Sequence, residues 1–191
     1  VGSSHRIPIF PLDVVLFPGE LFGLNVFEER YLLMTEEVLA EDLPIGIVLA
    51  RQDQDEDRVE YEPETIGTAA RVLRWDKEGD RYLLETVGTR RFRILRVHST
   101  KPYQEADVEW LDEDEGGAPE VARALASDVL ARVEELGGEV DRDSPAADDP
   151  ITISHAIAAA LPVDLETKQR LLELDDAVSR LEFEAEILGA A

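Results

Sequence analysis

IPIFPLDVVLFPGELFGLNVFEERY, positions 7–31, decides how the first half of the chain folds. Ile7 and Ile9 alternate around Pro8, and Val14, Val15, Leu16 and Phe17 follow, so positions 7–17 read as a strand. Pro8 and Pro11 remove two backbone donors, which predicts that this strand is an edge or is bulged. Pro18 and Gly19 make a turn, and positions 21–26 form a second short strand. From position 27 the period changes. Tyr31, Met34, Val38 and Leu39 recur at helical spacing while Glu36, Glu37 and Glu41 take the other face, predicting a helix near 28–42. Pro44 closes it. IGIVLA at 45–50 is almost wholly apolar and reads as an interior strand.

Further along, strands are predicted at 66–75, 82–87, 92–98 and 103–111, with a turn at Lys77 to Asp80 and a break at Gly88. Short strands separated by charged turns predict an antiparallel, curled sheet rather than βαβ units. DEDEGGAP at 112–119 reads as a linker. Beyond it the period becomes helical. Val121, Leu125, Val129, Val133 and Leu136 make one stripe, stopped by Gly137 and Gly138. An acidic excursion covers 139–150, and a small-residue helix covers 154–161. Asp164 caps a helix holding Gln169, Leu171, Leu172 and Leu174. Asp175 or Asp176 starts a last one, with Val178, Leu181, Ala185 and Leu188 as its buried stripe. The fold class is therefore α+β: a β-rich unit at 1–116 with one helix, then a helical unit at 117–191. Helices this short must pack on one another or on the sheet.

The chain has 191 residues, 44% of them hydrophobic, enough for a core. No run reaches the roughly 18 apolar residues of a membrane span, and the start lacks the pattern of a secretory signal. There is no cysteine, which excludes disulfides and thiolate metal sites and fits a cytoplasmic protein. Against 19 basic residues stand 43 acidic ones, a formal net charge of -24. Nucleic acid is disfavoured as a partner, because its phosphates would be repelled overall. A basic or apolar polypeptide suits such a surface better, although the charge also serves solubility alone.

Motifs for chemistry are missing. Asp53, Asp55 and Asp57 lack the glycine and the closing glutamate of a calcium loop. His5, His98 and His155 share no metal-ligand spacing. Ser154 and Lys168 are not spaced as a nucleophile pair. No cofactor, metal or catalytic residue is expected.

The ordered set IPIFPL at 7–12, Val15 to Gly19, FEERY at 27–31, IGIVLA, Gly67, Gly79 to Arg81, GTRRFRI at 88–94, LPVDLETKQRLLEL at 161–174 and Arg180 to Glu182 spans nearly the whole chain. It resembles the substrate-recognition domain at the N-terminus of Lon-type ATP-dependent proteases, and is expected to be a stand-alone form of it. Asn25 and Glu29 depart from the family's usual His and Pro. The resemblance implies a PUA-like β pseudo-barrel, shared with the N-terminal part of cereblon, followed by a small helical bundle. It also implies engagement of unfolded or tagged polypeptides, or of a protease or chaperone partner, without enzymatic activity. The GxxxxGK[ST] nucleotide signature does not occur.

Two readings stand beside this polypeptide-binding adaptor: an RNA-binding PUA-like module, and a purely structural module that assembles into an oligomer. Phe17, Pro18, Gly19, Leu21 and Phe22 are the candidate peptide-contact residues, since a proline-interrupted strand leaves backbone groups free for an extended ligand. Glu28, Arg30 and Tyr31 would support them from beneath, with Arg30 bonding backbone carbonyls or an acid such as Asp80. Arg91 and Arg93 alternate with Phe92 and Ile94. They predict an outward basic face, which either neutralises nearby carboxylates and so supports the fold, or meets RNA.

Overall fold

A computed structural model describes residues 5–51, 62–63, 65–138 and 149–189. The aspartates at 53, 55 and 57 and the acidic stretch at 139–148 lie outside these described residues. The chain forms two units, Val1–Leu111 and Asp112–Ala191. The first contains β1 (His5–Leu12), β2 (Leu21–Val26), α1 (Glu29–Glu41), β3 (Ile45–Arg51), β4 (Glu62–Pro63), β5 (Ile66–Glu78), β6 (Arg81–His98) and β7 (Gln104–Trp110). The second contains α2 (Pro119–Glu135), α3 (Pro150–Ala160), α4 (Leu165–Glu173) and α5 (Ala177–Gly189).

The strands run β1-β7-β6-β5-β3, and β3 then pairs with β1 in parallel, so the ladder returns to its first strand. β1 is accordingly not an edge. Positions 5–9 pair with β7, and positions 9–12 pair with β3. Pro8 and Pro11 each stand in a half with one paired neighbour, a setting in which a missing donor is tolerated. Alternation divides β1 between two cores. Ile7 and Ile9 pack with Val48, Ala69, Phe92, Ala106 and Val108. Phe10 points the other way, toward Leu24, Val26, Tyr31, Met34, Val38, Tyr82 and Leu84. α1 covers this second core with Tyr31, Met34, Thr35 and Val38, at the i, i+3, i+4, i+7 spacing of one helical face. It ends on Asp42 in the left-handed region, where the Leu43 N–H returns to the Val38 carbonyl at 3.1 Å.

β6 is continuous for 18 residues and serves both cores, through Tyr82 and Leu84 at one end and Phe92 at the other. Gly88 does not break it. A Cβ there would lie 2.2 Å from the Phe17 carbonyl oxygen, so the glycine is required by close backbone approach. Gly88→Ala is expected to cost about 2 kcal/mol of stability by forcing that backbone away. Urea unfolding followed by Trp fluorescence would check this, since Trp75 and Trp110 both lie in the β unit.

The division after Leu111 falls at the start of the 112–119 stretch read as a linker. Positions 112–117 belong to the helical unit, because backbone bonds clasp them to the start of α5. The Ala177 N–H donates to the Asp114 carbonyl at 2.9 Å, and the Val178 N–H to that of Glu115 at 3.0 Å. Asp149, Asp164 and Asp176 accept from the backbone N–H of Thr152, Thr167 and Ser179, capping three helices in turn. α2 turns a different face inward from the expected stripe. Ala122, Ala126, Val129 and Leu130 are buried, whereas Val121 and Leu136 are exposed. The alanines allow close helix approach where the bulkier Val121 and Leu125 would not.

Arg180 is the hub of this unit. Fully buried, it donates from Nε to the Leu171 carbonyl at 3.1 Å, from Nη2 to that of Leu174 at 3.0 Å, and from Nη1 to Ser154 Oγ at 2.7 Å. The first two acceptors are end carbonyls of α4, so the guanidinium caps α4 and ties it to α3 and α5. Glu113 lies 3.9 Å from Nη2 and 3.1 Å from His155 Nε2.

Candidate polypeptide-binding surface

The Pro18–Gly19 turn leads into β2 and is pinned against β6. Gly19, with φ 83°, donates its N–H to the Gly88 carbonyl at 2.8 Å, and the Gly88 N–H donates to that of Glu20 at 2.9 Å. Buried hydroxyls hold the same segment: Thr68 Oγ1 donates to the Leu16 carbonyl and Thr86 Oγ1 to that of Phe22. Phe17 is 0% exposed, its N–H bonded to Glu20 Oε2 at 2.9 Å. It is a core residue and not part of a contact surface, since the docking of the turn on Gly88 covers it. Phe22 is half-buried and packs against the α1 core.

The exposed members of this opening are Leu21, at 65%, and Phe27, at 67%. They stand at the two ends of β2. One side of β2 pairs antiparallel with β6, from Leu21 opposite Val87 to Val26 opposite Tyr82. Among the described residues no strand pairs with its other side. β2 therefore presents a free row of backbone donors and acceptors between two exposed apolar side chains. Beside Leu21, in register across the sheet, are Val87 and then Arg71.

Beneath this edge Tyr31 is buried, its ring 4.2 Å from that of Phe10. Arg30 does not brace a buried junction. Its Nη2 meets Glu28 Oε2 at 2.9 Å on the surface, and its guanidinium lies 4.6 Å above the Tyr31 ring. Its carboxylate partner is Glu28, not Asp80, which sits exposed in the β5–β6 turn. Two nearly adjacent side chains at the start of α1 reach each other without help from that turn.

The arginine run at 90–96 does not form one basic face. Arg91 is 1% exposed and Phe92 is buried too. Both faces of β6 are covered at this row, so alternation no longer separates inside from outside. Arg93 lies 3.5 Å from Glu109 on β7, and Arg90 lies over the Trp110 ring at 5.7 Å.

Two polar clusters in the β unit escaped the sequence reading. Lys101 and Tyr103 both bond the Glu37 carboxylate, tying the loop before β7 to α1. These bonds hold Glu37 below the usual carboxylate range and push Lys101 well above the usual lysine range, so Lys101 is an ammonium and no nucleophile. Asp107 accepts from Arg6 Nε at 2.9 Å and lies 2.7 Å from His98 Nε2. The Arg6 bond, then the His98 bond, bring Asp107 down to about 2. It is a fixed carboxylate across β1, β7 and β6, held by a guanidinium and an imidazole. In the helical unit Ser154 Oγ accepts from Arg180 and Lys168 Nζ donates to the Ala159 carbonyl, so that pair does not meet. Among the described residues no group of three or more His, Cys, Asp or Glu side chains could hold a metal ion. Nor is any helix among them long and apolar enough to cross a membrane.

The family model described as the ATP-dependent protease La (LON) substrate-binding domain matches residues 6–190. The chain belongs to this Lon substrate-binding domain family. It is 30% identical to Lon protease 2 of Myxococcus xanthus over 193 residues, covering 96% of this chain and 23% of that protein. Against the Lon protease of Escherichia coli K12 the identity is 28%, covering 93% and 24%. The chain thus spans about a quarter of the length of these curated relatives. The crystal structure of a Lon N-terminal domain protein from Xanthomonas campestris superposes with TM-score 0.71 at 26% identity, over 93% of this chain and 95% of that one. The N-terminal domain of Mycobacterium avium complex Lon protease gives TM-score 0.73 at 18% identity over 97% and 98%, a likeness of fold. The mixed α+β architecture is that of the Lon N-terminal domain, and the family is defined by substrate binding rather than by the ATPase or protease chemistry of the whole enzyme.

Proposed function

We propose that this domain is a non-enzymatic module that binds extended polypeptide, serving protein quality control in the cytoplasm as an adaptor. The observation that carries the reading is the free edge of β2 between exposed Leu21 and Phe27. An incoming chain would add as a strand, its backbone completing the unpaired row and its apolar side chains resting on Leu21 and Phe27. The same ladder, returning from β3 to β1, supports the PUA-like pseudo-barrel description of the β unit. The names of relatives such as Lon protease 2 of Myxococcus xanthus support a client destined for processing.

The test is fluorescence anisotropy with labelled, unfolded casein at physiological salt. Leu21→Asp and Phe27→Ser should each weaken binding about tenfold and leave the circular dichroism spectrum unchanged, because both side chains are exposed. Phe22→Ala is a poorer probe, since Phe22 also packs on the core. Equal binding by wild type and both variants would sink the reading. RNA binding finds less support, because Arg91 is buried and Arg93 faces Glu109. A defined oligomer that binds no casein would favour the assembly reading.

A further inference from the structure

We propose that the outward face of β2 carries a notch at Gly23 that selects an Arg or Lys in the incoming strand through the Glu85 carboxylate. The proposal rests on strand addition at the β2 edge and names the client that this edge prefers. Parity fixes what the client meets. The Gly88 N–H donates to the Glu20 carbonyl and Thr86 Oγ1 donates to that of Phe22, so the even-numbered positions here turn their carbonyls to β6. Alternation then turns the backbone groups of Leu21, Gly23 and Asn25 toward the free edge. Leu24 and Val26 are buried and Phe22 packs on the core, so positions 21, 23 and 25, with Phe27 beyond them, also share the outward face.

Across the sheet these positions stand in rows. Leu21 is followed by Val87 and Arg71, Gly23 by Glu85 and Arg74, and Asn25 by Leu83 and Asp76. Val87 and Leu83 are half-buried and form apolar banks on either side of Glu85. Rows on one face lie about 7 Å apart, which leaves room for one side chain where the middle row begins with a glycine. A Cβ at Gly23 would meet nothing within 4 Å, so the notch is open. A client residue opposite Gly23 shares this face and has no side chain in front of it. Two strand spacings, about 10 Å, separate its backbone from that of Glu85, a span that a long side chain lying over the glycine can bridge. Glu85 is exposed and makes no hydrogen bond or ion pair among the described residues. Arg74 stands on its far side, and a carboxylate accepts from more than one direction. An Arg or Lys would lay its alkyl stem between the two banks and set its charge on Glu85. An acidic residue there would meet a like charge, and a short one would leave the notch empty.

The test uses the full chain and a short labelled host peptide, with valine two positions either side of a variable central residue, followed by anisotropy at physiological salt. With Arg or Lys at the centre the peptide should bind about fivefold tighter than with Ala, and with Glu it should bind weakest. Glu85→Lys should invert the order, so that the Glu peptide binds tightest. Gly23→Val should bring the Arg peptide down toward the Ala peptide, since it fills the notch and leaves the backbone edge in place. Glu109→Lys makes the same charge change opposite Arg93, near the other end of β6, and should leave the Arg preference intact. Equal binding of the Arg, Ala and Glu peptides would overturn the notch and leave strand addition standing. An Arg preference that survives Glu85→Lys, or that falls as much in Glu109→Lys, would belong to net charge and would also overturn it. No saturable binding of any host peptide would refute the notch, and strand addition falls with it only if casein also fails to bind.

Discussion

Arg180→Ala should lower the stability of the helical unit by about 3–5 kcal/mol. The guanidinium satisfies two end carbonyls of α4, at Leu171 and Leu174, and the Ser154 hydroxyl of α3. Alanine would leave those acceptors in a closed interior, at a desolvation cost of about 1–3 kcal/mol each before relaxation or water entry. It would also open a cavity, since Arg180 is among the largest fully buried side chains. Lysine should rescue poorly, because one ammonium cannot reach three acceptors that a planar fork reaches from separate nitrogens. The measurement is urea unfolding followed by circular dichroism at the helix band, since no tryptophan lies in this unit. A loss below about 1 kcal/mol would mean that water replaces the guanidinium freely, and the hub assignment would fail.

The change of period at position 27, the interior strand at 45–50, the aspartate cap at position 164 and one at 175 or 176 were legible, because each is a local signal. Arg180 was not. Helical spacing predicts a stripe of Val178, Leu181, Ala185 and Leu188 with the charges in solvent, whereas Arg180 and Glu184 are buried and Ala185 is exposed. The signal available was an Arg and a Glu four apart within an apolar helix of a short bundle. Arg91 was misread for a related reason. Period two separates inside from outside only when one face of a strand meets solvent, and β6 is covered on both faces at that row. Gly88 looked like a break because a glycine in a strand marks either a break or a close approach; only the packed turn at Phe17 distinguishes them. At the candidate surface, the sequence singles out Phe17, Pro18, Gly19, Leu21 and Phe22, but which remain exposed depends on the pairing of β2 with β6, a contact between segments some sixty residues apart. Leu21 stays exposed within that pairing, Phe27 follows it exposed just beyond β2, and the docking of the turn on Gly88 sends Phe17 inside.

Glu184→Gln is expected to remove a pH dependence from the helical unit. Glu184 is fully buried, and neither carboxyl oxygen has a hydrogen-bond partner among the described residues. Burial pushes it from its ordinary 4.5 up to about 9, with the nearby Arg180 charge pulling in the opposite direction. The folded protein therefore keeps the proton at neutral pH, while the unfolded chain releases it. Between about 4.5 and about 9 the unfolded state binds fewer protons, so stability falls as pH rises; below that window and above it this group contributes no slope. At pH 7 the wild type should have lost about 3 kcal/mol relative to its value at pH 4, on the scale of about 1.4 kcal/mol for each unit between the unfolded pKa and the solution pH. Glutamine is neutral throughout, so the variant should lack this loss. Its second amide hydrogen adds a buried donor and lowers its stability by a constant amount at every pH. The decisive quantity is consequently the change in the difference between the two proteins, read from urea unfolding at pH 5, 6, 7 and 8. That difference should move steadily in favour of glutamine. Parallel profiles for the two proteins would show that Glu184 is ionised in the folded state, paired with Arg180 in an arrangement unlike the one described.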